Sequence, residues 1–331
     1  MTFDISRPDI DAIRGLRNAL GEAVYRTPML RCAAIEQVLG DGIRVYAKLE
    51  FLQHTGTFKA RGALATLQNL DADQLAAGVT AVSAGNHAIA TAFAANALGA
   101  SAKVVMIESA NPARIEACRA FGAEVVLVDD VHTAFAEVER VKKEEGRFLV
   151  HPFEGPLVAT ATGTVGLEIC EQCDAFDTIL IPVGGGGLLG GMANAIRQLR
   201  PDIEIIGVEP CGADSMHRSI AAGEPRSIDA VRTMADSLGA PFALPYSFEL
   251  CRNNVDRLVL VDDDQLGRSM GFLFRHLKMA VEPACAAAAA ALFGPLRNKL
   301  KGRRIVLTMC GSNIDWPTFA RQVQFAEDNT D

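Results

Sequence analysis

Residues 178–199 read TILIPVGGGGLLGGMANAIRQL, which is a β-type run, four consecutive glycines and then a helix-type run. The β-type part is apolar on both faces, as is usual for a parallel strand that helices cover on both sides. Outward from this stretch, short β-branched runs alternate with longer helical runs along most of the chain. This alternation predicts an α/β protein whose parallel strands are joined by right-handed crossovers. The other predicted strands are residues 43–49, 79–82, 103–107, 125–128, 203–208, 258–261 and 304–309.

The length of 331 residues corresponds to roughly two domains of ~150 residues each. A compact series of alternating strands and helices ends near residue 150, where the polar, proline-containing stretch HPFEGP begins. We therefore expect a small domain at residues 76–150, inserted into a large domain formed by residues 1–75 and 151–331. Each domain is expected to be an open, mostly parallel sheet covered by helices.

Composition and charge argue against several classes of protein. The hydrophobic fraction of 49% indicates a globular chain, and the formal net charge of −8 argues against nucleic-acid binding. The longest apolar run, residues 283–293, is shorter than the ~20 residues that span a bilayer, so no membrane partner is expected. The first thirty residues carry charges throughout and lack the apolar core of a secretory signal, which makes the cytoplasm the expected location. The eight cysteines are scattered, which predicts free thiols.

The first candidate site is residues 48–62, where a strand, a turn around Gly56 and the start of a helix follow one another. Lys59 falls in the first turn of that helix. The positive end of the helix dipole disfavours a charged amine there, which predicts a neutral, nucleophilic Lys59 suited to Schiff-base chemistry. Taken alone, the segment is also typical of a lysine that packs its stem and extends its amine into water.

Two further segments combine small and polar residues at the ends of predicted strands. Residues 83–87, SAGNH, stand between a strand and a helix, where exposed backbone amides can receive a carboxylate; an ordinary helix cap is the alternative. Residues 308–313, TMCGSN, end the last predicted strand. Ligands bind at such carboxyl ends in open α/β sheets, although a simple turn would use the same residues.

The four glycines of the opening stretch, Gly184–Gly187, offer bare backbone amides that can wrap a phosphate group. A Walker A loop is excluded because its GK[ST] ending is absent. The same segment also fits GxGxxG through Gly185, Gly187 and Gly190, and Glu209 closes a following strand. A nicotinamide-dependent oxidoreductase is therefore an alternative at this point.

Taken together and in this order, the motifs TGTFKARGA, SAGNHAIA, VGGGGLLGG, VEP, EPACAAAAAAL and MCGSN resemble the fold-type II pyridoxal-phosphate enzymes. The resemblance is greatest to the threonine/serine dehydratases and serine racemases, and it extends from Tyr25 to Asn313. It implies a two-domain fold like that of the tryptophan synthase β subunit, with pyridoxal 5'-phosphate as the cofactor. It also implies a homodimer that converts an L-threonine or L-serine type of 3-hydroxy amino acid to a 2-oxo acid and ammonia.

The resemblance further implies roles for individual residues. Lys59 would form the Schiff base and then remove the α-proton of the substrate, with Phe58 packed near the cofactor ring. Asn86 would bond the phenolic oxygen, Glu282 would lie near the ring, and Cys310 would face the pyridine nitrogen. A neutral thiol holds a pyridinium less well than a carboxylate does, which favours elimination over transamination. The cofactor phosphate would rest on Gly184, Gly185, Gly186 and Gly187, and the substrate carboxylate on Ser83, Ala84, Gly85, Asn86 and His87.

Several residues depart from the family's pattern. Ala84 stands where serine racemases carry a second acid–base serine, which disfavours racemisation. Ile89, Thr162 and Ser237 replace residues that the family usually has near the substrate, so we expect an altered pocket around the β-substituent. A 3-hydroxyaspartate dehydratase and an amino-acid racemase are the alternatives within the family. A binding protein without activity is a further alternative, against which Lys59 argues.

Some relatives hold Mg²⁺ or Ca²⁺ through the glutamate of VEP, a carbonyl four residues later and an acid six residues later. Glu209 and Ala213 match this pattern, but the third position is Ser215. A hard cation needs several oxygen ligands. We therefore expect at most a weak divalent-cation site at Glu209 and Ala213, with Asp214 as the neighbouring acid.

Overall fold

The computed structural model describes residues 7–83 and 85–328, which form an α/β protein with two sheets. Its strands are β1 (Met29–Arg31), β2 (Arg44–Leu49), β3 (Val79–Val82), β4 (Ala102–Ile107), β5 (Glu124–Val128), β6 (Phe148–Leu149), β7 (Thr178–Pro182), β8 (Glu204–Pro210), β9 (Arg257–Val261) and β10 (Arg304–Met309). Its helices are α1 (Ile10–Leu20), α2 (Ala33–Leu39), α3 (Lys59–Gln68), α4 (Ala72–Ala77), α5 (Asn86–Ala97), α6 (Pro112–Ala120), α7 (Val131–Glu145), α8 (Pro156–Gln172), α9 (Gly187–Leu199), α10 (Ser215–Ala222), α11 (Pro245–Asn254), α12 (Asp263–Leu277), α13 (Pro283–Phe293) and α14 (Trp316–Asp328).

The first sheet has the strand order β1-β2-β10-β7-β8-β9, and its neighbouring strands are parallel except for β1 and β2. The second sheet has the order β5-β4-β3-β6 and is parallel throughout. All strands of the second sheet lie within the segment expected to form the small domain. Helix α3 comes before that segment, yet it packs Leu64 and Leu67 into the core of the second sheet. The α/β class is confirmed, and the boundary at residue 76 stays a prediction.

Helix α13 is a buried, alanine-rich helix in the core of the first sheet. The sequence predicts that it continues to residue 300, which is wrong, because the helix ends at Phe293. The N–H of Gly294 donates to the carbonyl of Ala290 at 2.9 Å, and turns follow. Among the described residues, no helix, α13 included, is both long enough and apolar enough to cross a membrane.

Close packing of α8 against α9 positions the glycine-rich segment. The sequence predicts a helix at residues 167–173, whereas α8 begins at Pro156, in a stretch with threonine and glycine, which are weak helix formers. Those residues instead permit close approach: a Cβ atom at Gly166 would lie 2.8 Å from the Met192 carbonyl oxygen. The Thr162 hydroxyl also donates to the Gly187 carbonyl at 2.8 Å. The start of α9 is therefore fixed at the end of β7.

Candidate active site

The carboxyl ends of β3, β7 and β10 open onto one cavity of about 510 Å³. Ser83, Gly184 and Cys310, which follow these strands, all line it. The structure thus brings together motifs that are far apart in the sequence, at the edge where open α/β sheets bind ligands. Ala84 lies outside the described residues. The predicted site residues that line the cavity are Phe58, Lys59, Ser83, Gly85, Asn86, His87, Gly184, Gly185, Gly186, Gly187, Glu282 and Cys310.

Lys59 is the first residue of α3, and its amine faces this cavity. Its Nζ donates to the Pro152 carbonyl oxygen at 2.5 Å. Burial lowers the pKa of Lys59 to about 8, against the opposing effect of the Cys310 and Glu282 groups. The sequence argument predicts a lowered pKa from the helix dipole, whereas burial is the main cause in the structure. A useful fraction of the amine is therefore neutral near pH 7.

A buried cluster of charges anchors α3 directly after Lys59. The Arg61 guanidinium donates to Glu50 at 2.9 Å and to Glu168 at 2.6 Å. The Lys48 amine donates to the same Glu168 at 2.5 Å. All four side chains are almost completely shielded from solvent, and the two positive charges match the two negative ones. The cluster fixes the beginning of α3, and with it the backbone that carries Lys59.

A polar network crosses the cavity from one sheet to the other. The Asn86 amide donates to Glu282 at 2.7 Å and accepts from the Asn313 amide at 2.7 Å. Arg114, on α6, donates to Glu282 at 3.2 Å and to Asp236 at 2.6 Å. Burial raises the pKa of Glu282 to about 7, while Arg114 acts in the opposite direction. These contacts fix the orientation of the Asn86 side chain at the cavity.

The tetraglycine segment forms one wall of the cavity and leads into α9. Gly186 has a φ of +89°, a left-handed conformation that favours glycine. A Cβ atom at Gly185 would lie 2.4 Å from the Phe153 ring, and one at Gly187 would lie 2.5 Å from the Phe153 carbonyl oxygen. Larger residues are therefore excluded. The first amides of a helix have no intrahelical acceptor, so this wall offers N–H donors to an anion.

Cys310 ends β10 inside the cavity and is buried. A hydrogen bond with the Cys285 thiol and burial raise the pKa of Cys310 well above its ordinary value. Its thiol is therefore neutral at physiological pH. This agrees with the neutral partner that the sequence predicts for a ring nitrogen.

Comparison with known proteins identifies the family. Residues 20–311 match the family described as "Pyridoxal-phosphate dependent enzyme". The chain belongs to this family. It is 52% identical to a phenylserine dehydratase of Ralstonia pickettii over 316 residues, which cover 96% of each chain. It is also 38% identical to an L-threonine ammonia-lyase of Geobacter sulfurreducens over 306 residues, covering 92% of this chain and 75% of that protein.

The structure of maize serine racemase superposes on this pyridoxal-phosphate enzyme with a TM-score of 0.89 and 33% identity, covering 98% of this chain and 99% of that one. The predicted fold-type II architecture is therefore confirmed. So is the prediction of a pyridoxal-phosphate-dependent lyase that dehydrates 3-hydroxy amino acids. The family match sets the nicotinamide alternative aside.

The described residues fit the cofactor. The cavity has the Lys59 amine with its lowered pKa, a glycine wall that a single Cβ atom would disrupt, and a neutral thiol at Cys310. These are the groups needed to hold an aldehyde, a phosphate and a weakly basic ring nitrogen, respectively.

Residues 150–153 of this enzyme contact three of the motifs, and they are not among the site residues predicted from the sequence. The Val150 carbonyl accepts a hydrogen bond from His87 at 2.8 Å, the Pro152 carbonyl accepts from Lys59, and Phe153 packs against the tetraglycine wall. The sequence argument treats this stretch only as a domain border. Its place at the carboxyl end of β6 shows only in the structure, because that strand has two residues and leaves no pattern in the sequence.

One side of the enzyme's cavity is apolar and belongs mainly to the second sheet and α7. The sequence contains no obvious signal for this wall, because its residues look like ordinary core positions of separate elements. The apolar residues on this side are Val82, Val105, Ile107, Ala134, Phe135, Val138, Leu149 and Phe242.

The predicted cation position is organised differently. The Glu209 carboxylate accepts hydrogen bonds from the backbone amides of Met216 and His217, both at 2.8 Å, at the start of α10. Burial raises the pKa of Glu209 to about 8. Within residues 7–83 and 85–328, no three His, Cys, Asp or Glu side chains come together as a metal site. Ala213 is buried close to this helix start, and Glu209 acts there as a helix cap.

Proposed function

We propose that the enzyme acts on 3-hydroxy amino acids that carry a bulky apolar group on the β-carbon, of which 3-phenylserine is representative. The observation that supports this most is the apolar side of the cavity, formed by residues with exposed surface such as Val82, Ile107 and Phe135. Burying an aromatic ring against such a wall is favourable by roughly 25 cal/mol per Å². A serine or threonine side chain is too small to use this surface.

The charges around the cavity argue against 3-hydroxyaspartate, the alternative that the sequence leaves open. No free arginine is left to pair with its second carboxylate at Arg114, because Arg114 is already paired with Asp236 and Glu282. The histidines supply no positive charge, because burial lowers the pKa of His87 to about 3 and that of His151 to about 4. Among the described cavity residues, these groups leave only Lys59, which is needed for catalysis.

The relatives support the same substrate class. The Ralstonia pickettii protein, named phenylserine dehydratase, is 52% identical, against 38% for the Geobacter sulfurreducens L-threonine ammonia-lyase. Ala84, in place of the second serine of the serine racemases, supports dehydration over racemisation.

We assign the cofactor-binding roles as follows. When bound, pyridoxal phosphate withdraws electron density from the α-carbon of an attached amino acid. Lys59 would hold its aldehyde, Cys310 its ring nitrogen and Asn86 its phenolic oxygen. Phe58 and Glu282 would flank the ring, Gly184–Gly187 would bind the phosphate, and the backbone of residues 83–87 would bind the substrate carboxylate.

Lys59 carries the proton chemistry in this proposal. With a pKa near 8, its free amine can accept the α-proton of the substrate close to neutral pH. Its hydrogen bond to the Pro152 carbonyl orients the amine. The product of the elimination is an enamine, which takes up one water molecule to give the 2-oxo acid and ammonia.

A substrate panel tests this proposal. Purified enzyme loaded with cofactor is assayed for ammonia and 2-oxo acid release from phenylserine, threonine, serine and 3-hydroxyaspartate. We expect kcat/KM for phenylserine to exceed that for threonine by about 10- to 100-fold. A threonine value equal to or above the phenylserine value would refute the substrate assignment. Lys59→Ala is the inactive control, and release of the D-enantiomer at a comparable rate would instead indicate a racemase.

We also propose that the enzyme is a cytoplasmic homodimer with a small domain at residues 76–150. The half-exposed side chains of Leu30, Val38 and Leu52, in and near β1 and α2, support a subunit interface in that region. Sedimentation velocity at micromolar concentration should give the mass of two chains. Limited proteolysis should cut near residues 76 and 150, and cell fractionation should recover the enzyme in the cytosol.

A further inference from the structure

His151 is a histidine in the cavity whose tautomer is fixed by the backbone. Its Nδ1 accepts hydrogen bonds from the N–H groups of Phe153 at 3.3 Å and Glu154 at 2.9 Å. A ring nitrogen that accepts hydrogen bonds carries no proton, so the proton of the neutral ring lies on Nε2. Burial and the nearby Lys59 charge keep the ring neutral at physiological pH. His151 can therefore donate a hydrogen bond through Nε2, while its Nδ1 is occupied as an acceptor.

This donor belongs to a residue that lines the same cavity as Lys59 and the tetraglycine segment. His151 lines the main cavity together with Lys59, and both also line a smaller cavity behind the lysine. The two residues that follow His151 contact the same site. The Pro152 carbonyl accepts a hydrogen bond from Lys59, and Phe153 packs against the tetraglycine wall. Among the described residues, no acceptor is paired with the His151 Nε2–H.

The other oxygen atoms that enter this site have donors of their own. The tetraglycine wall and the start of α9 offer backbone amides to a phosphate, and residues 83–87 lead into α5, whose first amides suit a carboxylate. These two backbone receptors leave the β-hydroxyl oxygen of the substrate to a side-chain donor, and His151 is one of the donors that line the cavity. The β-hydroxyl oxygen is also the oxygen on which charge develops when the carbon–oxygen bond breaks, where a fixed donor is most effective.

We propose that the Nε2–H of His151 donates a hydrogen bond to the departing β-hydroxyl oxygen and thereby assists its loss. The inference rests on the dehydratase activity but not on the preference for an aryl substrate. In the step, Lys59 takes the α-proton and the electron pair of the Cα–H bond forms the Cα–Cβ double bond. The Cβ–O bond breaks with its electron pair on oxygen, which leaves as water with the proton that Lys59 has taken. His151 keeps its own proton.

Two substitutions separate the two nitrogens of the ring. His151→Asn places an amide oxygen near the Nδ1 position, where it can still accept from the Phe153 and Glu154 amides, but it has no group at Nε2. His151→Gln reaches the Nε2 position with an N–H donor. His276→Asn, on α12 and outside the cavity, is the matched control.

The assay compares a hydroxyl leaving group with a chloride, which needs far less help from a hydrogen-bond donor. We expect His151→Asn to lower kcat for L-threonine and phenylserine by about 10²- to 10³-fold. Elimination of chloride from 3-chloro-L-alanine should change by less than about threefold, and His151→Gln should recover part of the hydroxyl activity. Equal losses on both leaving groups would overturn the proposal, because they would indicate a role in positioning Lys59.

Two readouts are independent of turnover. The affinity of the apo-protein for pyridoxal phosphate, followed by fluorescence, should be the same in His151→Asn and in the wild type. A marked loss of affinity would overturn the proposal, because it would indicate that His151 binds the cofactor phosphate instead. The ¹⁵N spectrum of the apo-protein should show His151 in the Nε2–H form from pH 6 to 8, and the Nδ1–H form would equally refute it. In either case the ratio of phenylserine to threonine activity in the wild type still tests the substrate assignment separately.

Discussion

Phe135 on α7 is the aromatic residue whose removal tests the apolar wall most directly. Its side chain lines the cavity and is 43% exposed, so it has surface left to cover a substrate ring. The substitution Phe135→Ser removes this ring and leaves the neighbouring wall residues Ala134 and Val138 in place.

The expected effect follows from the exposed area. A phenylalanine side chain buries roughly 200 Å², so the exposed 43% corresponds to about 85 Å². If about half of this faces the substrate, about 40 Å² on each partner leaves water, which is worth about 2 kcal/mol at ~25 cal/mol per Å². That is roughly a 30-fold loss in kcat/KM for phenylserine. Threonine has no ring to bury, so its kcat/KM should change by less than about twofold.

Steady-state rates of 2-oxo acid release give both values on the same preparation of cofactor-loaded enzyme. The matched control is Phe325→Ser on α14, since Phe325 is 52% exposed and does not line the cavity. An unchanged ratio of phenylserine to threonine activity in Phe135→Ser would refute the assignment of this wall. So would an equal loss for both substrates, or the same change in the Phe325 variant.

Three further predictions concern stability and cofactor binding. Arg61→Leu leaves the buried Glu50 without its ion-pair partner and Glu168 with Lys48 alone, and it should lower the free energy of unfolding by about 3–5 kcal/mol. Thermal unfolding measures this, and Arg252→Leu, at an exposed ion pair, should show almost no change. Gly185→Ala forces the Phe153 ring away from its contact and should weaken pyridoxal-phosphate binding by about tenfold. Titration of the apo-protein measures this, and undiminished binding would contradict a phosphate site at the tetraglycine segment. The lowered pKa of Lys59 predicts that the rate of cofactor capture by apo-protein rises with pH as the amine loses its proton and levels off above about 8; a rise that continues beyond pH ~10 would indicate an ordinary lysine.

Much of the fold and of the site was predictable because the decisive signals are local. Each motif joins a strand to a helix or ends a strand, and parallel strands bring their carboxyl ends to one edge. The segments with Lys59, Asn86 and Cys310 were separate candidate sites on this ground, and the resemblance to the pyridoxal-phosphate enzymes assigned them to one site. The short strands β1 and β6 were not predicted, because two or three residues are too few for an alternation to appear.

The rest of the site depends on contacts between distant parts of the chain. Arg114 looks like a surface charge on a short helix, and only the structure pairs it with Asp236 and Glu282. His151 follows the two-residue strand β6, so no periodic pattern marks it as a cavity residue. Phe135 is one apolar residue on an amphipathic helix, and its role depends on which elements close the cavity around it.

The division of labour between the two sheets has an evolutionary consequence. The lysine, the glycine wall and the thiol are attached to α3, β7 and β10, whereas most of the apolar wall is carried by α7 and the second sheet. After gene duplication, mutations confined to α7 and the second sheet can change which substrate side chain is accepted, while α3, β7 and β10 stay unchanged. Directed evolution can follow the same route by randomising residues 82, 107, 135 and 149, which line the cavity and are not fully buried.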